Sequence, residues 1–208
     1  MPVDLNGCGA DFAVWCSYKY LNGGPGAPAF LFVARRWLDA TQQPLCGWFG
    51  HEMPFAFETG YRPKTGIDRF LVGTPPVLSM TALGCGLETF DGVDMRQVRK
   101  KSVALGDLMI KLVEQECPQF DLALASPRDG SARGSQVSYG HPSGYAVMQA
   151  LIAQGVIGDF RAPDLMRFGF TPLYVRFQDI WDAVAILRQV LSSGEWRNPA
   201  FNQRAAVT

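Results

Sequence analysis

Apolar residues follow two regimes along this chain. Over Met95–Glu116, Leu105, Leu108, Met109 and Leu112 recur at i, i+3, i+4 and i+7, with Val98 and Val113 extending the stripe. That spacing turns one face of a helix inward, and Pro118 bounds it. Gly144–Gln154 repeats the pattern through Tyr145, Met148, Leu151 and Ile152. Phe177–Leu191 does so through Ile180, Trp181, Val184, Leu187 and Leu191. Strands are expected around these helices at Leu122–Ala125, Gln136–Tyr139, a segment opening at Gly155–Gly158, and Leu165–Phe170. Nearer the N-terminus the pattern changes. Asp11–Cys16 and Ala29–Ala34 are short apolar runs bounded by turn residues, the signature of strands covered on both faces. Val77–Phe90 reads as a helix despite Gly84 and Gly86, and Arg35–Pro76 has no period at all.

Two units follow from this organisation. Residues 93 to about 200 form a compact α/β unit with helices on one face of a small sheet. Residues 1–92 offer two strands, one helix and long loops, too little to bury both sides of a parallel sheet. That part reads as half a domain. An aperiodic stretch as long as 35–76, dense in aromatic residues, is more often functional than connective.

Composition removes several classes of function. Lys plus Arg and Asp plus Glu stand at 19 each in 208 residues, so no charge excess points to nucleic acid or an anionic membrane. No run approaches the roughly 18 apolar residues of a membrane span, and Met1-Pro2-Val3-Asp4-Leu5 lacks the form of a secretory signal. The five cysteines, Cys8, Cys16, Cys46, Cys85 and Cys117, are widely spaced and odd in number. They fit reduced thiols in a cytoplasmic protein better than a disulfide framework or a zinc site. His51 and His141 are the only histidines, which argues against a multi-histidine metal centre.

The candidate chemistry sits mainly in loops. Ser17-Tyr18-Lys19-Tyr20-Leu21-Asn22-Gly23-Gly24-Pro25-Gly26 places a lysine between two tyrosines at the end of an apolar run. A shielded amine there would lose charge and gain nucleophilicity, the property used in Schiff-base chemistry; an ordinary exposed lysine is the plain alternative. Trp48 and Phe49 lie between Gly47 and Gly50, so the backbone can bring two aromatic faces close to a flat group, or anchor a loop. Thr74 precedes two prolines and offers a hydroxyl to a phosphate. Arg167 interrupts the apolar strand Leu165–Phe170, where its fork suits a carboxylate, whether a ligand's or a structural partner's. Arg161 competes for that role, with Asp159 close enough to be its local partner. His51, beside Glu52, reads as a surface residue. Gly7-Cys8-Gly9 precedes a strand and lacks the third glycine of a dinucleotide fingerprint.

Four blocks taken together resemble the kynureninases, in particular the bacterial members. They are 11–26, Gly47-Trp48-Phe49-Gly50-His51, Gly73-Thr74-Pro75-Pro76-Val77-Leu78, and Gly158–Pro163 with Arg167–Tyr174. The resemblance implies an aspartate-aminotransferase-like fold: the C-terminal part of a pyridoxal-phosphate-dependent large domain (1–92), then a small α/β domain (93–208). It implies that Lys19 forms the Schiff base with pyridoxal 5'-phosphate and that Tyr18 binds its phosphate and moves protons. Trp48 and Thr74 would reach the phosphate from the other subunit of a homodimer. Phe49 would border the substrate ring, and Arg167 would hold the α-carboxylate of kynurenine. The implied reaction hydrolyses the Cβ–Cγ bond of kynurenine or 3-hydroxykynurenine, giving alanine and anthranilate or 3-hydroxyanthranilate.

In that family the cofactor lysine lies near mid-chain, whereas here it is residue 19. The resemblance therefore implies that the family's N-terminal half, including the aspartate that pairs with the pyridinium nitrogen, is absent from these 208 residues; Asp4 and Asp11 lie too close to Lys19 to replace it. Two further readings remain open on the sequence. One is a non-catalytic remnant or binding module of the same fold. The other is a related lyase such as a cysteine desulfurase, although that chemistry needs a mobile catalytic cysteine.

Overall fold

The computed structural model describes residues 2–203. The chain divides into two compact units, Val3–Gly92 and a second beginning at Val93.

In the first unit, β1 (Phe12–Cys16) and β2 (Ala29–Val33) pair antiparallel, with Phe12 opposite Val33 and Cys16 opposite Ala29. The two runs were expected to be covered on both faces, and they are not. Val14 is 76% exposed, and Phe12, Trp15 and Leu31 are exposed too. The reason is geometric. A two-stranded ribbon cannot bury its own faces, and among the described residues no third strand joins this one. Helix α1 (Val77–Glu88) contains both glycines that weaken its propensity. Gly86 has a reason: a Cβ there would stand 2.7 Å from the Asn22 carbonyl oxygen, so the chain can rest on the helix only at a glycine. The aperiodic stretch contains single turns of 3-10 helix at Arg35–Trp37, Trp48–Gly50 and Gly66–Phe70. Within this unit the buried apolar side chains are few, namely Val33, Ala34 and Leu83.

The second unit has a core. Helix α2 (Met95–Glu116) begins at Asp94, whose carboxylate accepts the Arg96 backbone N–H at 2.8 Å, a standard N-cap. The antiparallel sheet runs β3–β4–β6–β5, from β3 (Ala123–Leu124), β4 (Gln136–Gly140), β5 (Asp159–Arg161) and β6 (Leu165–Gly169). Helices α3 (Gly144–Ala153) and α4 (Phe177–Ser193) complete it. Val137, Tyr139, Phe160, Met166 and Phe168 share one buried cluster with Leu105 and Met109 of α2, Val147, Met148 and Leu151 of α3, and Val184 and Leu187 of α4. The alternate positions, Ser138, Arg167 and Asp159, stand opposite one another across β4, β6 and β5. Residues directly opposite in antiparallel strands point to the same side, so the sheet's other face carries a polar row.

Three expectations change here. Ile152 is 36% and Trp181 54% exposed, while Val147 and Val190 are buried. Ile152 and Trp181 each follow a core residue, Leu151 or Ile180, and the next helical position is turned about 100° away. The strand expected to open at Gly155 starts at Asp159 instead. Gly155, at φ +87°, closes α3, and the Val156 N–H returns to the Leu151 carbonyl at 2.9 Å. Among the described residues no helix is long and apolar enough to cross a membrane.

Replacing fully buried Leu151 with Ala should cost about 2–5 kcal/mol in urea unfolding, because the lost side chain leaves a cavity between α3 and the sheet. Val14→Ser, on the open face of the ribbon, should change stability by less than about 0.5 kcal/mol.

Candidate active site

Lys19 sits on the turn that leaves β1. The Ser17 hydroxyl, fully buried, donates to the Pro28 carbonyl and ties the turn to the start of β2. Its carbonyl accepts the Gly23 N–H at 3.1 Å, and the Lys19 carbonyl accepts the Asn22 N–H at 3.1 Å. Asn22 takes the left-handed conformation at φ +59°, which asparagine tolerates better than most residues. Its amide also donates to Thr89 Oγ1 at 3.0 Å, at the end of α1. The backbone carrying Lys19 is thus held at both ends. The side chain itself is exposed, with Nζ 4.9 Å from the centre of the Tyr18 ring, and Tyr18 is 42% exposed. Of the two settings open to this lysine, shielded or exposed, the described residues give the exposed one, because the strand leading to it is itself uncovered.

Trp48 and Phe49 are packed edge to face with ring centres 5.0 Å apart, and Trp48 meets Phe55 at 5.7 Å. The glycines around them allow close main-chain packing. A Cβ on Gly47 would lie 1.7 Å from the Val72 carbonyl oxygen, and one on Gly50 would lie 2.6 Å from that of Leu71. Neither glycine needs an unusual backbone angle; each is needed so that two stretches of main chain can touch. This contact carries Trp48 to Gly73, where a Cβ would be 3.9 Å from the indole Nε1. Trp48 and the residue before Thr74 are therefore brought together, and Thr74 is exposed. Arg69, buried, pins the same loop by donating to the Lys64 carbonyl at 3.0 Å and the Thr41 carbonyl at 3.2 Å.

His51 is not a surface residue. Its ring is 8% exposed, with Nδ1 accepting the Met53 N–H at 2.9 Å, which leaves the proton on Nε2 to donate to the Gly60 carbonyl at 3.1 Å. It is displaced from solvent because the chain folds back, Glu52 N–H to Arg62 carbonyl at 2.8 Å. Trp48, His51, Phe55, Phe57 and Tyr61 border a cleft of about 520 Å³. Lys64 lies over the Phe49 ring at 5.1 Å, a contact that nothing in the spacing announced.

In the other unit, Arg167 is half-buried on β6 and engages Asp159 through Nε, at 3.2 Å, and Nη2. Asp159 also meets Arg161 Nη1 at 3.2 Å. The sequence pairs Asp159 with Arg161 as near neighbours; the antiparallel register makes it the direct partner of Arg167 as well. The two upstream carboxylates have local duties. Asp4 accepts the Gly7 N–H at 2.8 Å, and Asp11 accepts the Trp37 indole N–H at 2.6 Å and pairs with Arg36. Those contacts, the indole hydrogen bond first, hold the Asp11 carboxyl below its ordinary range.

Residues 98–187 match the family model described as the kynureninase C-terminal domain. Over all 208 residues the chain is 56% identical to the kynureninase of Burkholderia pseudomallei (strain K96243), and it spans about half the length (50%) of that relative. Among solved structures, a cysteine desulfurase of Thermococcus onnurineus NA1 superposes with a TM-score of 0.76 at 17% identity, over 93% of this chain and 50% of that one. The cystine C–S lyase C-DES, solved with glycine covalently linked to its PLP cofactor, gives 0.69 at 16% identity, over 90% and 48%. At such identities the structural likeness concerns the fold alone.

Gly47→Ala should displace Trp48, shifting its indole N–H resonance in ¹⁵N NMR by more than any other tryptophan's. Gly60→Ala, where a Cβ would meet nothing within 4 Å, is the control and should leave that signal in place.

Proposed function

We propose that this chain, 56% identical over its full length to a kynureninase of which it spans about half and matching the kynureninase C-terminal domain over residues 98–187, is the lysine-bearing part of a pyridoxal-phosphate-dependent kynureninase. Its reaction is hydrolysis of the Cβ–Cγ bond of L-kynurenine or 3-hydroxykynurenine, yielding L-alanine and anthranilate or 3-hydroxyanthranilate, in tryptophan catabolism and NAD biosynthesis. The observation that carries this reading is the 56% identity over every residue of the chain, a span that includes all the candidate segments.

The donor set fits two ends of the cofactor. Lys19 offers a primary amine to an aldehyde from a turn whose backbone is fixed by Ser17 and Asn22. Tyr18, Trp48 and Thr74 offer O–H and N–H donors suited to a phosphate dianion. Bound pyridoxal 5'-phosphate supplies the electron sink for cleavage next to the amino acid's α-carbon. Tyr18, beside the amine, holds and returns the proton on that side of the site. Phe49 borders the aryl ring and Arg167 holds the α-carboxylate. A partner for the ring nitrogen must come from elsewhere, since Asp4 and Asp11 are engaged locally.

Most of the exposed large apolar side chains among the described residues belong to the first unit, and an exposed apolar face of this extent marks a contact surface. We propose that this unit is part of a larger cofactor domain, that the remaining half of the enzyme covers the β1–β2 ribbon, and that the whole is a cytoplasmic homodimer. That covering layer is also what would shield Lys19. The exposure of Lys19 favours one other reading, a non-catalytic remnant of the fold.

The test is complementation. The chain, mixed with the portion of the Burkholderia pseudomallei enzyme that it does not span and with pyridoxal phosphate, should release anthranilate from L-kynurenine. Neither piece alone should do so, and Lys19→Ala should abolish the activity of the mixture. Activity that survives Lys19→Ala contradicts the assignment, and an inert but properly associated mixture favours the remnant. In the active mixture, Arg167→Lys should raise KM about tenfold or more with a smaller change in kcat, because the charge remains while two-point geometry is lost.

A further inference from the structure

Arg167 would be a poor carboxylate receptor if its guanidinium were free to rotate or wholly occupied. It is neither. A guanidinium has two edges that can grip a carboxylate at two points, one formed by Nε and Nη2 and the other by Nη1 and Nη2. Asp159 takes the first, with Nε at 3.2 Å from Oδ1 and Nη2 on Oδ2. Among the described residues nothing takes the second. Along the strand the next position on the same face is Gly169, where a Cβ would meet no atom within 4 Å, so the polar row ends beside open space.

The strand geometry places Asp159 with little freedom. It lies directly opposite Arg167, and the preceding residue must be small. A Cβ on Gly158 would fall 2.9 Å from the Arg167 carbonyl oxygen and 2.6 Å from Met148 Cε. Arg161, from the same strand, meets the Oδ1 that faces Nε, and its Nη1 is also bonded to the Phe160 carbonyl at 3.0 Å. On the other flank Ser138 stands opposite Arg167, its hydroxyl accepting from Gln136 Nε2 at 3.0 Å.

We infer that Asp159 is a positioning residue: it fixes one edge of Arg167 so that the other edge is presented, already oriented, to the carboxylate of an amino-acid ligand. This rests on Arg167 as the carboxylate receptor proposed above and adds what makes it competent. Order in the receptor before binding raises affinity because less rotamer freedom is lost when the ligand arrives. A purely structural ion pair would stabilise the hairpin and leave ligand affinity unmoved.

The experiment uses the full chain, labelled with ¹⁵N in arginine, and L-alanine as the probe with L-alaninamide as the control lacking a carboxylate. Alanine, and not the amide, should shift the Arg167 Nη resonances while the Nε–H signal stays slow to exchange with water. Asp159→Asn should weaken that response at least about tenfold, since a neutral amide grips a guanidinium less well than a carboxylate does. Arg161→Gln should change it less than threefold. Equal affinity in Asp159→Asn overturns the inference, as does alanine releasing the Nε–H of the wild-type chain, which would mean that the ligand displaces Asp159. The second reading needs only wild-type protein, so it stands even if the variant fails to fold. A wild-type Arg167 that keeps its Nε–H protected and never responds at Nη removes the receptor role itself, a result distinct from the other two.

Discussion

Met166 and Phe168 face the helices while Arg167, between them on β6, faces the other way, and this alternation governs the second unit. The buried side chains on one face of the sheet are locked by α2, α3 and α4. Any change of register by one residue would drive Arg167 into that core and expose Met166 and Phe168, at a cost of several kcal/mol in unpaired charge and lost apolar burial. Register is therefore fixed by packing, and packing in turn fixes which strand residue Arg167 meets. Asp159 opposite, Ser138 on the other flank and the bare backbone of Gly169 beyond are consequences of that one constraint.

The first unit is held differently. With few buried apolar side chains, it depends on main chain touching main chain where a side chain would intrude: Gly47 on Val72, Gly50 on Leu71, Gly86 on Asn22. Such contacts, with the buried hydroxyl of Ser17 and the buried guanidinium of Arg69, define loop geometry without contributing much burial. Segments of that kind open locally at small free-energy cost, whereas a packed sheet opens with the whole unit. A lysine that works as a nucleophile needs both a fixed backbone and a dry surrounding. The turn provides the first, and the second requires a covering layer over β1 and β2.

Much of this was legible from residue spacing. The 3.6-residue stripe through Leu105, Met109 and Leu112 marked α2 from Met95 to Glu116, and Pro118 marked where it stops. Period alone could not orient Ile152 or Trp181, since an apolar residue at the margin of a stripe is placed by what packs beside it. The runs around Val14 and Leu31 carry the composition of strands buried on both faces; composition records what the strand is built to meet, and among the described residues no further strand pairs with the ribbon and Val14 stays exposed. At the site, the Lys19 turn, the Trp48 loop and Arg167 stood out by residue type. Asp159 did not, because its pairing with Arg167 is a property of antiparallel register rather than of sequence distance. The burial of His51 was hidden for a similar reason: it comes from a loop that closes further along the chain, at Gly60 to Arg62.

One unit of this chain holds its own core, while the unit that carries Lys19 is ordered in its loops but uncovered in its sheet. Amide hydrogen exchange, resolved residue by residue on the chain alone, tests it most directly. Val137, Tyr139, Met166 and Phe168 should exchange only through opening of the whole second unit, and Val14, Trp15 and Leu31 orders of magnitude faster. Protection of the β1–β2 ribbon equal to that of β4 and β6 would contradict it.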